Sequence, residues 1–338
     1  MLKKLFSVLF ILAILIFIAI SSEIHDFFTT PLVQNNITTS IKVYPAQPAR
    51  TVSQNLYEQK LIQHPALFSW LINITGNRYA LRYGEYEIQY PMTAWDLLRH
   101  MIKGKDLVKH RLTIVNGWTF DQIREAIATD PNLTQSIAGL PPQTVLQKLN
   151  ASNDHIEGLF YPDTYVFTWG NTDISVLKTA YQKMQNILQT DWQNRAPNLP
   201  YQNVYQALII ASLIEKETSI DAEKPLIASV IINRLNKNMP LQIDSAVQYG
   251  VDKMFGGQLT KEELATKTPY NTYLIKGLPP TPICIPSQSS ILAALHPAET
   301  DYLYYVATGK GGHNFSRTYA GHLIQVKEYR QAIVATLE

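Results

Sequence analysis

A continuous apolar segment at the N-terminus constrains this chain of 338 residues more than any other feature. Lys3 and Lys4 precede a run over 5–20 that only Ser7 interrupts. At about 1.5 Å per residue, a helix of roughly 16 residues spans about 24 Å, which approaches the thickness of the hydrocarbon core of a bilayer. We therefore predict a cytoplasmic tip and transmembrane anchor at 1–22, with a cleaved signal peptide as the alternative.

The lysines ahead of this run predict a cytoplasmic N-terminus, so everything after the anchor is expected outside the cytoplasm. ATP and NADH have no ready supply there, and the sequence contains neither a GxxxxGK[ST] loop nor a Rossmann fingerprint. We therefore expect no cofactor. The formal net charge of +2 comes without a long basic run, so nucleic acid is not an expected partner. Cys284, the single cysteine, excludes an internal disulfide and a CxxC metal site.

Periodicity and helix-start signals divide the rest of the chain. A polar segment at 23–40 predicts a stalk above the membrane, and alternating and helical patterns then predict a strand, two helices and a strand. These four elements are expected at 41–44, 51–62, 65–74 and 79–89. Thr93 with Asp96, and Thr119 with Gln122, have the capping-box spacing that predicts the start of a helix.

Three longer helices are expected in the C-terminal part of the chain, over 173–192, 203–218 and 224–235. The second contains eight consecutive nonpolar or small residues at 207–214, which predicts burial on nearly all sides. After Leu241 we expect short strands and turns rich in proline and glycine, including a turn at 309–313 that leads into a strand. The whole chain is thus predicted to be α+β, with a small module at 41–105 and a helix-centred domain at 106–338.

Two glutamates end the most apolar of these helices. Glu217 follows Ile210, Leu213 and Ile214 at helical spacing and extends an apolar stripe, whereas Glu215 lies on a different side of the helix. Loss of hydration at the end of such a stripe raises a carboxyl pKa towards neutrality, which suits a group that both donates and retrieves a proton. The alternative is that both glutamates belong to a solvated last turn.

A hydrolytic glycosidase normally needs a second carboxyl across the scissile bond. Asp244 is the best candidate, although it fits either a short strand or the start of a helix. If only one carboxyl acts, a hydroxyl of the sugar can replace water as the nucleophile. Such a lyase-type cleavage leaves a 1,6-anhydro end.

A series of short motifs follows along the chain in a fixed order. They are EG at 157–158, YPDTY at 161–165, ASLIEKET at 211–218, ASVIINRL at 228–235, LQID at 241–244, YNTY at 270–273, GLPP at 277–280, HPA at 296–298, YLYYVA at 302–307 and GGHNF at 311–315. Together with the N-terminal anchor, this series resembles the MltG/YceG family, the endolytic murein transglycosylases, over nearly the whole chain. The chain departs from the family pattern at Asn116 and Ala46, where a glutamate and a glycine are usual.

The resemblance implies a LysM-like module at 41–105, a YceG-like catalytic domain at 106–338 and a catalytic role for Glu217. It implies a lytic transglycosylase that cleaves the MurNAc–GlcNAc β-1,4 bond of nascent peptidoglycan from the outer side of the bacterial inner membrane. Peptidoglycan synthases or divisome proteins are possible partners. The alternative is a membrane-anchored scaffold that binds peptidoglycan without cutting it.

Sugar binding uses amides for hydroxyl groups and aromatic faces for rings. The side chains that fit this description are Gln242, Asp244, Asn271, Tyr273, His313 and Phe315. His313 has no metal-ligand spacing, so no metal is expected there. Tyr302, Tyr304 and Tyr305 are expected on a core strand, and Asn233 and Arg234 are expected to hold a neighbouring loop.

Overall fold

A computed structural model describes residues 2–34, 37–75 and 81–337, with side chains described from 6 to 331 within those ranges. The helices are α1 Leu2–Thr29, α2 Ala49–Glu58, α3 Pro65–Ile74, α4 Ala94–Lys103, α5 Phe120–Ala128, α6 Pro142–Leu149, α7 Asp173–Gln193, α8 Val204–Glu217, α9 Lys224–Asn236, α10 Asp244–Gly250, α11 Lys261–Ala265, α12 Gln288–Leu295 and α13 Tyr319–Leu337. The strands are β1 Thr39–Val43, β2 Gly84–Ile88, β3 Lys109–Thr113, β4 Thr164–Thr168, β5 Tyr304–Ala307 and β6 His313–Ser316.

The described chain forms two compact units of mixed α and β structure. The first comprises 1–110 with 132–134 and 166–171, and the second comprises 111–131, 135–165 and 172–338. The strands pair as β1 with β2, β3 with β4 and β5 with β6.

The N-terminal helix α1 is long and apolar enough over Phe6–Thr29 to cross a membrane. It continues past the expected end of the anchor, so the first part of the segment interpreted as a stalk is helical. Phe27 is buried there, with its ring 5.8 Å from Phe68 and 6.5 Å from Trp95. Residues of the expected stalk therefore contribute to the hydrophobic core of the first unit.

The first unit contains the expected strand-helix-helix-strand order. β1 and β2 pair antiparallel with Ile41 opposite Tyr86, and the helices α2 and α3 lie between them in sequence. Tyr86 is fully buried in this core and donates its hydroxyl to the carbonyl of Arg82 at 2.6 Å. The strand predicted from Tyr79 begins at Gly84, and Tyr79 itself lies outside the described residues. Ala46 has a φ of 55°, the left-handed conformation that favours glycine.

The two predicted capping boxes are confirmed. The Thr93 hydroxyl accepts the Asp96 backbone N–H, and the Thr93 N–H donates to the Asp96 carboxylate. Thr119 and Gln122 do the same at the start of α5. These local hydrogen bonds satisfy helix N–H groups that would otherwise lack partners.

The second unit is built around α8, whose residues from Ala207 to Ile214 are all buried, as predicted. α9 and α12 pack against it, and both present runs of buried apolar residues. The prediction of short strands and turns after Leu241 is confirmed in part, by β5 and β6, but it missed the helices α10, α11, α12 and α13. The predicted turn at 309–313 does lead into β6. Alternation over the four residues 241–244 fits the segment just before a helix as well as it fits a strand. In the structure α10 starts at Asp244.

Candidate active site

The last residue of α8 carries the candidate catalytic carboxyl. Burial of the helix fixes its position, and Thr218 then turns into extended backbone, so Glu217 lies where the helix meets a cleft. Both carboxyl oxygens accept hydrogen bonds, one from the Ser245 hydroxyl at 2.9 Å and the other from the Tyr305 hydroxyl at 2.7 Å. The carboxyl is thus held from two sides while the side chain keeps a partial opening to the cleft.

The environment of Glu217 favours its protonated form. Burial raises the pKa of the Glu217 carboxyl, and the hydrogen bonds from Tyr305 and Ser245 offset only part of this effect. The charge of Asp244 raises the pKa further, whereas that of His313 lowers it. The apolar stripe therefore has the predicted consequence, because a carboxyl in this position can hold a proton and give it up to a substrate oxygen.

Glu215, two residues earlier, has the opposite character. Burial alone would raise the pKa of Glu215, but hydrogen bonds from Ser287, Ser290 and Asn116 outweigh it and lower the pKa below the ordinary value. The carboxylate lies 3.5 Å from the ammonium of Lys224, and only 5% of its side chain is exposed. The alternative of a solvated last turn is wrong for Glu215, which is a buried anion that joins α8 to α9 and α12.

The cleft at Glu217 has a volume of about 390 Å³ and contains four of the predicted substrate-binding residues. Gln242, Asp244, Tyr273 and His313 all line it. The Tyr273 hydroxyl donates to Asp244 at 2.6 Å, and His313 Nδ1 lies 2.8 Å from a carboxylate oxygen of Glu223. Tertiary contacts thus fix the polar side chains that face the cleft.

Arg234 and Asn233 hold the loops that form the cleft wall, as predicted. Arg234 donates to the carbonyls of Leu303 at 2.6 Å and Leu241 at 2.8 Å, and to the side chain of Gln242 at 3.0 Å. Asn233 donates to the carbonyls of Thr300 and Tyr302. Gln242 has a φ of 54°, a backbone conformation that residues other than glycine rarely adopt, and its side chain accepts a hydrogen bond from Arg234.

The structure does not bring the other two predicted binding residues to the cleft surface. Asn271 is fully buried, and its amide donates hydrogen bonds to the carbonyls of Leu264 and Thr266, so it stabilises a loop. Phe315 packs behind the cleft wall, with its ring 6.2 Å from Tyr305. An amide or aromatic residue in a motif does not reveal by itself which way its side chain faces.

Comparison with known proteins identifies the family of this chain. The model of the YceG-like family matches residues 41–328. The chain belongs to this family. It is 30% identical over 302 residues to the endolytic murein transglycosylase of Bacillus subtilis (strain 168), a match that covers 84% of the chain and 83% of that relative. The corresponding protein of Streptococcus pneumoniae serotype 2 is 29% identical over 290 residues, which is 76% of this chain and about half (52%) of the relative. A crystal structure of a yceG-like protein from Listeria monocytogenes matches with a TM-score of 0.55 and 27% identity, covering 85% of this chain and 98% of that chain.

Two contacts of this YceG-like protein were missed by the sequence analysis. Tyr305 was expected only as part of a core strand, and Ser245 was not singled out. Burial raises the pKa of the Tyr305 hydroxyl well above its ordinary value, so it remains a hydrogen-bond donor to Glu217. Both residues lie within or next to family motifs, but no pattern in the sequence indicates that they meet at one carboxyl.

Asn116, where the resemblance implies a glutamate, lies beside the candidate site. The Asn116 amide donates to the Glu215 carboxylate, and this hydrogen bond contributes to the lowered pKa of Glu215. Within the described residues, no group of three or more His, Cys, Asp or Glu side chains is arranged to hold a metal ion.

Proposed function

We propose that this YceG-like protein is an endolytic lytic transglycosylase that cleaves the MurNAc–GlcNAc β-1,4 bond within nascent peptidoglycan strands. The observation that carries the proposal is Glu217, a carboxyl with a raised pKa held by Ser245 and Tyr305 on the wall of a polar cleft. The relatives are named endolytic murein transglycosylases, which supports the same reaction.

The chemistry needs one proton-carrying group and no cofactor. Glu217 protonates the glycosidic oxygen as the bond from the anomeric carbon to that oxygen breaks. The resulting carboxylate then takes the proton from the MurNAc 6-hydroxyl, whose oxygen bonds to the same anomeric carbon. Glu217 ends the cycle protonated, no water is consumed, and the product carries a 1,6-anhydro-MurNAc end. Asp244 lies on the same cleft, where its negative charge would stabilise the oxocarbenium-like transition state.

The proposed position of the enzyme rests on α1. We infer a single membrane span with a cytoplasmic N-terminus, which places the cleft outside the inner membrane, where strands are elongated. The strand-helix-helix-strand elements of the first unit are proposed to be a LysM-like module. Cleavage at this position would limit or terminate glycan elongation, and synthases or divisome proteins remain expected partners.

Muropeptide analysis of a matched pair of variants tests the proposal. Purified glycan strands are incubated with the full-length protein in detergent, and products are identified by mass spectrometry, with a parallel reaction in ¹⁸O-labelled water. Glu217→Gln should reduce the release of 1,6-anhydro products by at least about a hundredfold, because loss of a general acid and base typically costs that much. Glu262→Gln, an exposed residue of α11, should retain wild-type activity.

Three outcomes would count against this mechanism. Full activity of Glu217→Gln would reject the assignment of the acid. Reducing ends that contain ¹⁸O would instead indicate hydrolysis with Asp244 as the partner carboxyl. Strands whose length the wild-type protein leaves unchanged would favour the non-catalytic scaffold.

A further inference from the structure

A second groove opens beside Glu217 and differs from the cleft in its charge. It has a volume of about 670 Å³ and shares Glu217 with the cleft described above. Five ionisable side chains line it, namely Glu215, Lys216, Glu217, Asp221 and Lys224. A strand bound across Glu217 would therefore continue from the cleft into this groove.

Three of these five groups, one cation and two carboxylates, form a single ion-pair network. Lys224 is almost completely buried, with its ammonium 3.5 Å from Glu215 and 3.0 Å from Asp221. It also donates to the hydroxyls of Ser287 at 3.0 Å and Ser289 at 2.8 Å. This ion-pair network has no unsatisfied cation to offer a ligand.

Lys216 is the positive charge that remains. Among the described residues, no carboxylate lies within ion-pairing distance of its ammonium. The ammonium instead lies 3.5 Å from the ring centroid of Phe255, a cation–π contact that orients the side chain without neutralising its charge. Lys216 is half-buried, and burial lowers its pKa. The charges of Glu215 and Glu157 act on the ammonium only from beyond contact distance. A cation that has lost hydration and has no counter-ion in contact gains from binding an anion.

The backbone opposite Lys216 leaves this ammonium accessible. Gly117 has a φ of 79°, and a Cβ atom added there would lie 3.7 Å from the Lys216 nitrogen. A larger side chain at that position would occupy the space next to the ammonium. The bare backbone of Gly117 therefore leaves room for a ligand atom.

We propose that Lys216 binds a carboxylate of the glycan substrate, next to the bond that Glu217 breaks. This inference rests on the proposed function. MurNAc carries a lactyl ether, whose carboxyl is either free or joined to a stem peptide with carboxylates of its own, whereas GlcNAc carries none. A salt bridge from Lys216 would thus favour MurNAc over GlcNAc on its side of Glu217 and would set the register of cleavage.

Binding measurements in the full-length Glu217→Gln protein separate recognition from turnover. Three probes are titrated calorimetrically: strands with stem peptides, amidase-treated strands with free lactyl carboxylates, and the latter after conversion of every carboxyl to a neutral methylamide. Lys216→Met removes the charge and keeps a long, unbranched side chain next to Phe255. It should raise the Kd of at least one charged probe roughly ten- to a hundredfold, the range typical of a charge-assisted hydrogen bond, and leave the Kd of the neutral probe unchanged.

The controls identify the source of the carboxylate and exclude a folding defect. Lys216→Arg should keep most of the affinity, and Lys253→Met, whose ammonium already pairs with Glu263 at 2.9 Å, should bind all three probes like the parent. Weakened binding of the amidase-treated strands identifies the lactyl carboxylate, and weakened binding of the peptide-bearing strands alone identifies the stem peptide. Equal affinity of Lys216→Met and its parent for all probes would overturn this inference alone, whereas turnover by Glu217→Gln would overturn the proposed function.

Discussion

Replacing each of the two glutamates at the end of α8 with glutamine should have different effects on the stability of the protein. Glu215 is a buried anion with a lowered pKa, and Glu217 is a carboxyl whose protonated form is favoured. Glutamine removes the charge from both positions and keeps the size of the side chain. We expect Glu215→Gln to destabilise the fold and Glu217→Gln to leave it intact.

The contacts of Glu215 determine how much stability the Glu215→Gln variant should lose. Its carboxylate accepts the Ser287 N–H at 2.9 Å and the Ser290 hydroxyl at 2.6 Å, and it pairs with Lys224, whose side chain is only 4% exposed. Removing one partner of a buried ion pair costs about 3–5 kcal/mol, but Lys224 keeps Asp221 at 3.0 Å, so we expect a loss of about 2–3 kcal/mol. For a domain of this size that corresponds to a decrease in Tm of roughly 5–10 °C.

The raised pKa of Glu217 determines how its contribution to stability changes with pH. Its folded-state pKa lies above that of the unfolded chain, so the stability that its protonated form contributes is full below about pH 4 and is lost as the pH rises through the folded-state pKa. Glutamine does not ionise, so the Glu217→Gln protein should not lose stability as the pH rises. At pH 8 it should unfold at the wild-type temperature or above it. The pKa of Glu215 is lowered, so its contribution is present at neutral pH and is lost on acidification.

Scanning calorimetry of the full-length variants in detergent at pH 8 and pH 4 provides the measurement. The deficit of Glu215→Gln should be largest at pH 8 and should shrink towards acid pH. An unchanged Tm of Glu215→Gln at pH 8, or a Glu217→Gln protein that is the less stable of the two, would refute the argument from burial and pairing.

Two further predictions concern the pH dependence of activity and stability. Tyr305→Phe removes a hydrogen-bond donor that lowers the pKa of Glu217, so the loss of activity at alkaline pH should move to higher pH. The kcat should fall roughly tenfold. A pH–rate profile of anhydro-product release that matches the wild type would contradict this prediction. Burial raises the pKa of Glu157 to about 7, although N–H donors and the Tyr249 hydroxyl partly offset the effect, so stability falls as the pH rises from about 4 to 7. Glu157→Gln should therefore raise Tm at pH 8 by an amount that corresponds to about 1–2 kcal/mol and give no increase at pH 4, as measured by thermal unfolding.

Local patterns predicted the helices well and the tail poorly. The capping boxes at Thr93 and Thr119 depend on residues three apart, so the sequence displays them directly. The sequence left 241–244 open between a strand and the start of a helix, because four alternating residues do not distinguish the two, and the structure has the helix start. The missed helices after Leu241 are mostly short, and tertiary packing against α8 stabilises α10 and α12 more than their own periodicity does.

For the candidate site, too, spacing within one helix was predictive, whereas contacts between distant segments were not. The apolar stripe selected Glu217 because burial along a helix follows from spacing alone, and the raised pKa agrees with that choice. The stripe gave no reason to expect that Glu215 would be a paired buried anion, because Lys224 and Ser287 come from other helices. It also could not separate Tyr273, which lines the cleft, from Asn271, which is buried two residues away.

The sequence by itself determined an N-terminal helix long and apolar enough to cross a membrane, an α+β chain and one carboxyl at the end of a buried helix, because each depends on the hydrophobic pattern within a single segment. The tertiary structure alone decided what that carboxyl contacts. Ser245 and Tyr305 lie 28 and 88 residues from Glu217 along the chain, and hydrogen bonds over such separations leave no pattern within any one segment. The charge left unpaired on Lys216 was decided in the same way, since only the fold determines which opposite charges meet.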